Sequence, residues 1–342
     1  PNGSKIERRF GKALGIVKPG EASLRVFLCG HMDTVLKPVP RPEKAIRPGD
    51  GRMWGTGASD AKGGLVVMLA ALECFERSPF AGRLGWEGLI VPDEEIGSLG
   101  SRPLLEEAAG RCNLGLLFEP AQSDGALVGD RVGSGNFSAT VRGRAAHAGR
   151  HIEAGRNAIE ALADFIVALR DLREIGDQIR INVGAVEGGG PVNVVPDLAG
   201  CRFNIRVRDM EAMGSIRQGI DRIAARIGRQ REVSVEITGG FGRPPKPLNP
   251  EILYLLEQFA SCGKALDLAI HWRSSGGVCD GNTLLAAGLP NVDSLGPVGD
   301  GLHTGDEFVT EASITERARL TALFLMRLAA GDIPWPPKGI GV

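Results

Sequence analysis

A histidine and an aspartate, His31 and Asp33, follow a short apolar run over residues 24–29. The run is rich in branched and aromatic residues and is bounded by Gly30, a pattern typical of a buried β-strand. Open α/β sheets build their sites beyond the carboxyl ends of such strands. The imidazole is a candidate metal ligand, and Asp33 could orient it by accepting its second N–H. The alternative is a histidine and an aspartate that only cap a loop.

Five further residues of ligand type follow in similar settings: Asp60, Glu94, Glu95, Glu119 and His303. Asp60 precedes an apolar helical segment, where helix N-capping is the alternative interpretation. Glu94 and Glu95 end a run of three acids that would repel one another without cations, and a solvated loop is the alternative. Glu119 closes an apolar run. His303 lies before the last predicted helix, and its alternative is a structural role.

Each residue has an ordinary explanation, but their joint occurrence at successive strand ends favours a hydrolytic site with two divalent metals. Two histidines and several carboxylates suit zinc, with cobalt or manganese as alternatives. Adjacent carboxylates can divide the work, one binding a metal and the other carrying a proton. The sequence contains no GxSxG nucleophile elbow, and its GxG near Asp60 lacks the strand-GxGxxG-helix order of a nucleotide site.

The overall composition excludes several classes of partner. The net charge of -1 and the pI near 6.7 argue against nucleic acid and anionic membranes. No apolar run reaches the roughly 18 residues of a membrane span. The six cysteines show no CxxC spacing, so we interpret them as reduced core residues of a cytoplasmic protein. The chain begins at Pro1 rather than Met, so an N-terminal leader peptide that has been removed is an open alternative.

The 342 residues suggest two domains. In the first half, strands at 24–29, 88–92 and 114–118 alternate with a buried helix at 64–77, which predicts a doubly wound, mostly parallel α/β sheet.

Residues 130–242 then show the order β-α-β-β-α-β, which predicts an inserted α+β two-layer sandwich, with residues 1–129 and 243–342 forming one discontinuous domain. Its predicted strands lie at 137–143, 178–187, 201–208 and 232–238, and its helices at 157–172 and around residues 216–227. A Gly/Pro-rich stretch at 239–245 suggests a hinge. A helix at 251–262, a loop at 274–282, a strand at 291–295 and a helix at 312–329 complete the prediction.

Seven segments carry a family resemblance, in family order, over nearly the whole chain: GHMDTV, GTGASDAKGG, VPDEEIGS, LFEPA, GRAAHAGR, NVVPDLAGCRFNIR and GLHTGDEFV. The chain thereby resembles the M20 metallopeptidase family, which includes glutamate carboxypeptidases, succinyl-diaminopimelate desuccinylase, acetylornithine deacetylase and aminoacylase. The stretch around residues 133–162 looks most like the glutamate-carboxypeptidase branch. Family members usually carry a longer segment before the His-x-Asp motif, so we expect the N-terminal part of the catalytic domain to be truncated.

The resemblance implies a role for each candidate. His31 and Glu119 would hold one metal, Glu95 and His303 the other, and Asp60 would bridge the two. Glu94 would be the general base, and Asp33 would support His31.

The resemblance also implies roles outside this set. His147 in the inserted domain would polarise the substrate carbonyl, in this family often across a dimer. Asn193 and Arg206 would contact oxygens of the substrate. Gly277 and Cys279 match a substrate-binding loop, although Cys279 stands where we expect serine.

We therefore expect a two-zinc amidohydrolase that cleaves small N-acyl amino acids or dipeptides with a free C-terminal carboxylate. The alternatives are an N-acetyl or N-succinyl amino-acid deacylase and, in a different class, a catalytically silent metal-binding relative. The complete ligand set and Glu94 argue against a silent relative. The expected partner is a second copy of the chain, bound through the inserted lid and dimerisation domain, with no nucleic acid and no membrane.

Overall fold

The computed structural model describes residues 10–35, 50–175 and 179–337. The strands among these residues are, in chain order, β1 (Leu14–Lys18), β2 (Arg25–His31), β3 (Arg52–Trp54), β4 (Gly85–Val91), β5 (Leu114–Leu117), β6 (Leu127–Arg131), β7 (Gly133–Arg142), β8 (Arg180–Gly188), β9 (Leu198–Val207), β10 (Ser234–Arg243), β11 (Trp272–Ser275), β12 (Asn291–Val292), β13 (Gly299–Asp300) and β14 (Phe308–Thr310). The α-helices are α1 (Gly64–Glu76), α2 (Arg102–Arg111), α3 (Ala158–Ala168), α4 (Met210–Arg231), α5 (Pro250–Lys264), α6 (Asp280–Ala286) and α7 (Glu311–Ala330).

Backbone contacts divide the chain into two compact units. Among the described residues, the first contains 10–35, 50–130, 248–275 and 279–337, and the second contains 131–175, 179–247 and 276–278. Within these ranges, the first unit contains two hydrophobic clusters and the second contains one.

The first unit contains a five-stranded sheet in the order β1-β4-β2-β5-β12. Strands β4, β2, β5 and β12 are parallel, and β1 lies antiparallel on the edge beside β4. The chain passes from β2 to β4 on one side and then returns to place β5 on the other side of β2. The strand order thus reverses between β2 and β5, and sheets of this kind form their crevice at the carboxyl ends of such strands. The predicted mostly parallel α/β fold is confirmed.

Strand β2 is buried on both faces, as the apolar run at 24–29 predicted. Val26 and Leu28 face one hydrophobic cluster, while Phe27 and Cys29 face another on the opposite side of the sheet. This alternation is the period-2 pattern of a strand covered by other elements on both sides. The strand continues two residues beyond the predicted end, so that His31 is its last residue rather than part of the following loop.

Helix α1 was predicted to be a buried helix because its sequence is apolar on nearly all sides, and that prediction is only partly correct. Val67, Ala71 and Phe75 are fully buried on one face, whereas Val66 and Leu69 are more than half exposed. The helix lies on the outer side of the sheet, so only one of its faces meets the core.

The second unit is a four-stranded antiparallel sheet in the order β10-β7-β9-β8, with apolar residues of α3 and α4 in the same core. The predicted order β-α-β-β-α-β is therefore observed. Along β9, Phe203, Ile205 and Val207 are buried while Asn204 and Arg206 lie on the other face, the period-2 pattern of a strand with one face on the core. The predicted start of the β8 strand, residue 178, lies outside the described residues.

Two local predictions were wrong. The stretch at 239–245 was predicted to be a hinge, but β10 continues to Arg243 because its backbone stays paired with β7 and Phe241 packs edge-on against Phe137. The predicted loop at 274–282 contains the end of β11 and the start of α6. Helix α2 and strand β1 were not predicted at all.

The start of α1 packs tightly against the end of β5, which gives a stability test. A Cβ added at Gly64 would overlap the main-chain oxygen of Phe118, whereas a Cβ at Gly110 on α2 would meet nothing within 4 Å. We expect Gly64→Ala to lower the free energy of unfolding by about 1–3 kcal/mol through overpacking. Gly110→Ala should raise it by about 0.5–1 kcal/mol, because alanine is the better helix former. Urea unfolding measures both changes, and a shift of the same sign for the two variants would contradict this packing.

Candidate functional site

His31, at the carboxyl end of β2, is held by carboxylates on both sides of its ring. Its side chain is only 1% exposed. Nε2 lies 2.9 Å from Oδ1 of Asp60. On the other side, Nδ1 lies 3.2 Å from the main-chain oxygen of Asp33 and 3.3 Å from its Oδ1. The imidazole therefore directs Nδ1 toward Asp33 and Nε2 toward Asp60.

The Asp60 carboxylate lies between two imidazoles. Its Oδ1 faces His31, and its Oδ2 lies 3.3 Å from Nε2 of His303. Each imidazole has one further acid beside it: Glu119 Oε2 lies 3.9 Å from Nε2 of His31, and Glu95 Oε2 lies 3.3 Å from Nε2 of His303. The structure thus brings together all five residues that the sequence suggested as metal ligands.

The carboxylate of Asp33 also organises the turn that carries the two glutamates. Its Oδ1 accepts a hydrogen bond from the main-chain N–H of Glu94 at 3.2 Å, and its Oδ2 accepts one from Glu95 at 3.0 Å. Burial alone would raise the pKa of Asp33, but the hydrogen bonds from His31 and the Glu95 amide lower it below its ordinary value. A single ionised carboxylate therefore sets the position of a histidine and of two acids.

The site carries more negative than positive charge, and this excess raises the pKa values of His31 and Glu95. Burial alone would lower the pKa of His31, but hydrogen bonds to Asp33 and Asp60 raise it well above its ordinary value, and the charge of Glu119 adds to the rise. Burial raises the pKa of Glu95, and the Asp60 carboxylate raises it further, against the opposing effect of the histidines. Such a cluster attracts either protons or a metal cation.

The donor set fits a divalent metal. One ligand atom from each of His31, Asp60 and Glu95 lies within 4.8 Å of the others. Glu95 Oε1 is buried, and no hydrogen-bond partner for it exists among the described residues. A buried carboxylate oxygen without a partner is costly unless a cation satisfies it. Imidazole nitrogens and carboxylate oxygens are the usual ligands of zinc and related ions.

Asp93, the first acid of the run at 93–95, does not belong to this cluster. Its carboxylate accepts hydrogen bonds from the main-chain N–H groups of Gly100 and Ser101, at 2.6 and 3.2 Å, and from the Ser101 hydroxyl. The expectation that three adjacent acids repel one another is therefore wrong for Asp93, because local donors satisfy its charge.

His147 and Asn193 lie in neighbouring loop segments of the second unit. The segments meet in an antiparallel bridge between His147 and Val194, and the Ala148 amide donates to the Asn193 carbonyl at 3.0 Å. Nδ1 of His147 accepts a hydrogen bond from the Gly149 amide at 3.1 Å, which fixes this nitrogen as an acceptor. The ring is exposed, and its Nε2 is then the nitrogen that carries the proton.

Arg206 is held by two bonds within the second unit. Its Nη1 donates to the main-chain oxygen of Gly276, which precedes Gly277, and its Nε donates to Oδ1 of Asn204 at 3.3 Å. Arg180 on β8 is its cross-strand partner, and Nη1 of Arg180 lies 3.4 Å from the position of a Cβ on Gly276. Two guanidinium groups therefore flank the same glycine.

Cys279 has an identifiable structural task. It is 1% exposed and is the N-cap of α6. Its Sγ accepts from the Gly281 amide at 3.3 Å, while Oδ1 of Asn282 accepts from the Cys279 amide at 3.0 Å. A contact between Cys279 and substrate stays a prediction.

Three residues that contact the groups of the site or the loops carrying them were not among the candidates chosen from the sequence: Arg180, Asn204 and Glu307. Asn204 shares a strand face with Arg206 at a spacing of two, so the alternation could have found it. Arg180 required the pairing register of β8 and β9. Glu307 follows His303 by four residues, but only the tertiary structure gives its partners.

Comparison with known proteins gives a consistent result. The model of the peptidase family M20/M25/M40 matches residues 27–327. Carboxypeptidase G2 of Pseudomonas sp. (strain RS-16) is 26% identical over 322 residues, which cover 91% of this chain and 76% of that protein. Succinyl-diaminopimelate desuccinylase of Rhodospirillum centenum is 30% identical over 302 residues, which cover 83% of this chain and 75% of that protein.

Solved structures share the fold. The aminopeptidase PepT from Bacillus cereus superposes with a TM-score of 0.78 at 22% identity, and the match covers 93% of this chain and 84% of that one. Within the described part of the chain, no helix is both long and apolar enough to cross a membrane.

Metal binding at the His31 cluster can be measured without a substrate. We expect the melting temperature of chelator-treated protein to rise on addition of Zn²⁺, Co²⁺ or Mn²⁺, since a ligand at about 100 times its dissociation constant adds about 2.7 kcal/mol of stability. His31→Ala should abolish most of this rise. His271→Ala, which changes an exposed histidine beside Asp124, should leave it intact. An equal metal-dependent rise in the wild type and His31→Ala would place the ion elsewhere.

Proposed function

The chain belongs to the peptidase family M20/M25/M40 and is a metal-dependent hydrolase, and from this premise we propose that it cleaves the amide bond of small N-acyl amino acids or dipeptides that carry a free C-terminal carboxylate. We further propose that it works with two zinc ions per chain, with cobalt or manganese as substitutes.

One observation carries the proposal of a two-metal site. The two oxygens of the Asp60 carboxylate face different imidazoles, at 2.9 Å from His31 and 3.3 Å from His303. A carboxylate in this position can bind one cation with each oxygen. Glu119 beside His31 and Glu95 beside His303 supply one further oxygen ligand on each side. The five residues would therefore hold two ions, with Asp60 shared between them.

A pair of bound divalent ions supplies Lewis acidity toward the amide carbonyl and lowers the pKa of water at the site. The protein's own residues supply the proton transfers and the orientation of the substrate. Glu94 is the proposed general base, which takes a proton from the attacking water and delivers it to the leaving amine. Its turn is held by the bond from its amide to Asp33, and its carboxylate is not among the proposed ligands.

His147 is the proposed donor to the substrate carbonyl oxygen as negative charge develops there. The hydrogen bond from the Gly149 amide to its Nδ1 supports this role, because it leaves the proton on Nε2, the tautomer that donates. We propose that His147 acts in a homodimer formed through the second unit, and that Asn193 contacts the substrate from the neighbouring segment.

Arg206 is the proposed recognition group for the substrate carboxylate. A guanidinium carries five N–H donors in a rigid fork, so it can keep its bonds to Gly276 and Asn204 and still bind a carboxylate. The Arg180 guanidinium beside Gly276 adds positive charge to the same face. We propose that Gly277, next in the chain, lets a substrate approach the backbone closely, and that Cys279 shapes this loop as its helix cap.

A second candidate function is an N-acyl amino-acid deacylase. The observation in its favour is the 30% identity to succinyl-diaminopimelate desuccinylase. The same site serves either reaction, since both cleave an amide next to a carboxylate. The ratio of kcat/KM for an N-acyl glutamate to that for an N-succinyl diamino acid distinguishes the two.

The role of Glu94 is tested by Glu94→Gln, which is nearly isosteric and leaves the proposed ligands in place. We expect the variant to bind two metal ions per chain by elemental analysis, while kcat falls by at least about 10²-fold, the usual cost of losing a general base. Glu106→Gln, which changes an exposed acid on α2, should match the wild type in both measurements. Wild-type activity in Glu94→Gln with full metal content would refute the assignment.

Carboxylate recognition is tested on substrate and enzyme together. We expect the wild type to cleave N-acyl amino acids and not their C-terminal amides. Arg206→Lys should lower kcat/KM for the free acids by at least about tenfold, or 1.4 kcal/mol of transition-state binding, because lysine lacks the planar fork. Arg202→Lys, on the same face of β9, is the matched control and should have no such effect. Equal cleavage of acid and amide would overturn carboxylate recognition by Arg206 without affecting the proposed metal-dependent mechanism.

A further inference from the structure

We propose that Glu307 is a positioning residue for the metal centre, whose buried carboxylate holds the loop that carries Asp60 against the segment that carries His303. The proposal rests on the proposed two-metal function and adds to it a residue that binds no metal. It explains how two ligands from distant parts of the chain keep a fixed relative position.

The side chain of Glu307 is 2% exposed, and both of its oxygens bind main-chain N–H groups of one loop. Oε2 accepts from Gly57 at 2.7 Å, and Oε1 accepts from Ser59 and Asp60 at 2.8 Å each. A buried carboxylate that receives three such bonds has its charge distributed over the loop amides. One of these amides belongs to Asp60, so the bond fixes the backbone of the residue whose side chain spans the two histidines.

The loop is not held by regular secondary structure at this point. Gly57 adopts a left-handed conformation with a φ of 71°, and the π-helical turn Ala58–Gly63 before α1 is interrupted by non-helical backbone at Asp60 and Ala61. The amides that Glu307 binds therefore lie where a regular helix or strand would not supply partners. The carboxylate takes the place of the missing backbone acceptors.

The opposite side of the contact carries His303. Only three residues separate His303 from Glu307, and β14, which begins directly after Glu307, pairs with β3. The main-chain oxygen of Glu307 also accepts from the Gly55 amide at 3.0 Å, so the two segments are joined by main-chain and side-chain bonds together. Any shift of Glu307 would change the distance between Asp60 and His303.

Glutamine at position 307 would fill nearly the same volume but has only one acceptor oxygen. Its NH₂ group would face an N–H donor of the loop, which would push the loop away. The expected result is a displaced Asp60 and weaker metal binding. A purely structural role would lower the stability of the fold without a specific effect on the metals.

The experiment measures Zn²⁺ affinity of chelator-treated protein by competition with a chromophoric chelator, alongside the melting temperature. Glu307→Gln should raise the dissociation constant of Zn²⁺ by at least about tenfold, the usual effect of losing a group that orients a ligand. Two controls should stay within about twofold of the wild type, as surface and remote changes do. Asp306→Asn removes a neighbouring exposed charge, and Ser313→Ala removes buried hydrogen bonds of the same region without contacting the Asp60 loop.

The outcomes separate the inference from the proposed function. Weakened Zn²⁺ binding in Glu307→Gln beyond that of Ser313→Ala, at comparable melting temperatures, supports the positioning role. Unchanged affinity in Glu307→Gln, or an equal loss in Ser313→Ala, overturns it while the two-metal function stands. A wild type that binds no Zn²⁺ would overturn the proposed function and this inference with it. Glu307→Asp keeps the charge but shortens the side chain by one methylene, so it should show a smaller loss of Zn²⁺ affinity. If Glu307→Gln does not fold, Glu307→Asp is measured in its place.

Discussion

The Asp60 carboxylate, placed between the imidazoles of His31 and His303, is the interaction on which the site depends. It requires the end of β2, the loop before α1 and the segment before β14 to meet at one edge of the parallel sheet. The reversal of strand order beside β2 provides that meeting point, because it brings the carboxyl ends of β2 and β5 next to each other. His31 at the end of β2 and Glu119 just beyond β5 thereby approach to 3.9 Å between Nε2 and Oε2.

The acids around this edge fall into two groups by their partners. Asp33, Asp93 and Glu307 accept hydrogen bonds from main-chain amides, which offset their charge, and Asp33 also faces the His31 imidazole. The carboxylates of Asp60 and Glu95 face His303, and one Glu95 oxygen is buried without a partner among the described residues. This division explains how so many carboxylates share one region. The carboxylates that bind main-chain amides hold the loops in place, and the charge of the others is available for cations.

Much of the fold could be predicted from the sequence, because burial on both faces leaves a readable pattern. The run at 24–29 predicted β2, and the pattern over residues 130–242 predicted the order β-α-β-β-α-β of the second unit. The prediction was wrong where local composition and tertiary pairing disagree. The glycines at 239–242 suggest a hinge by themselves, yet β10 continues through them because β7 supplies backbone partners and Phe137 supplies packing. Register and pairing are properties of two strands, and one strand's composition does not encode them.

For the site, the sequence by itself determined the chemistry that is available: two histidines and several acids at strand ends, in the order of a known family. The tertiary structure decided what each acid does. Asp93 and Glu95 are two residues apart in one acidic run, yet one binds backbone amides and the other faces His303. Glu307 looks like an ordinary acid beside a strand until the loop at residues 57–60 folds onto it. The physical reason is that a carboxylate's role depends on the donors within about 3 Å of it, and most of those donors come from distant parts of the chain.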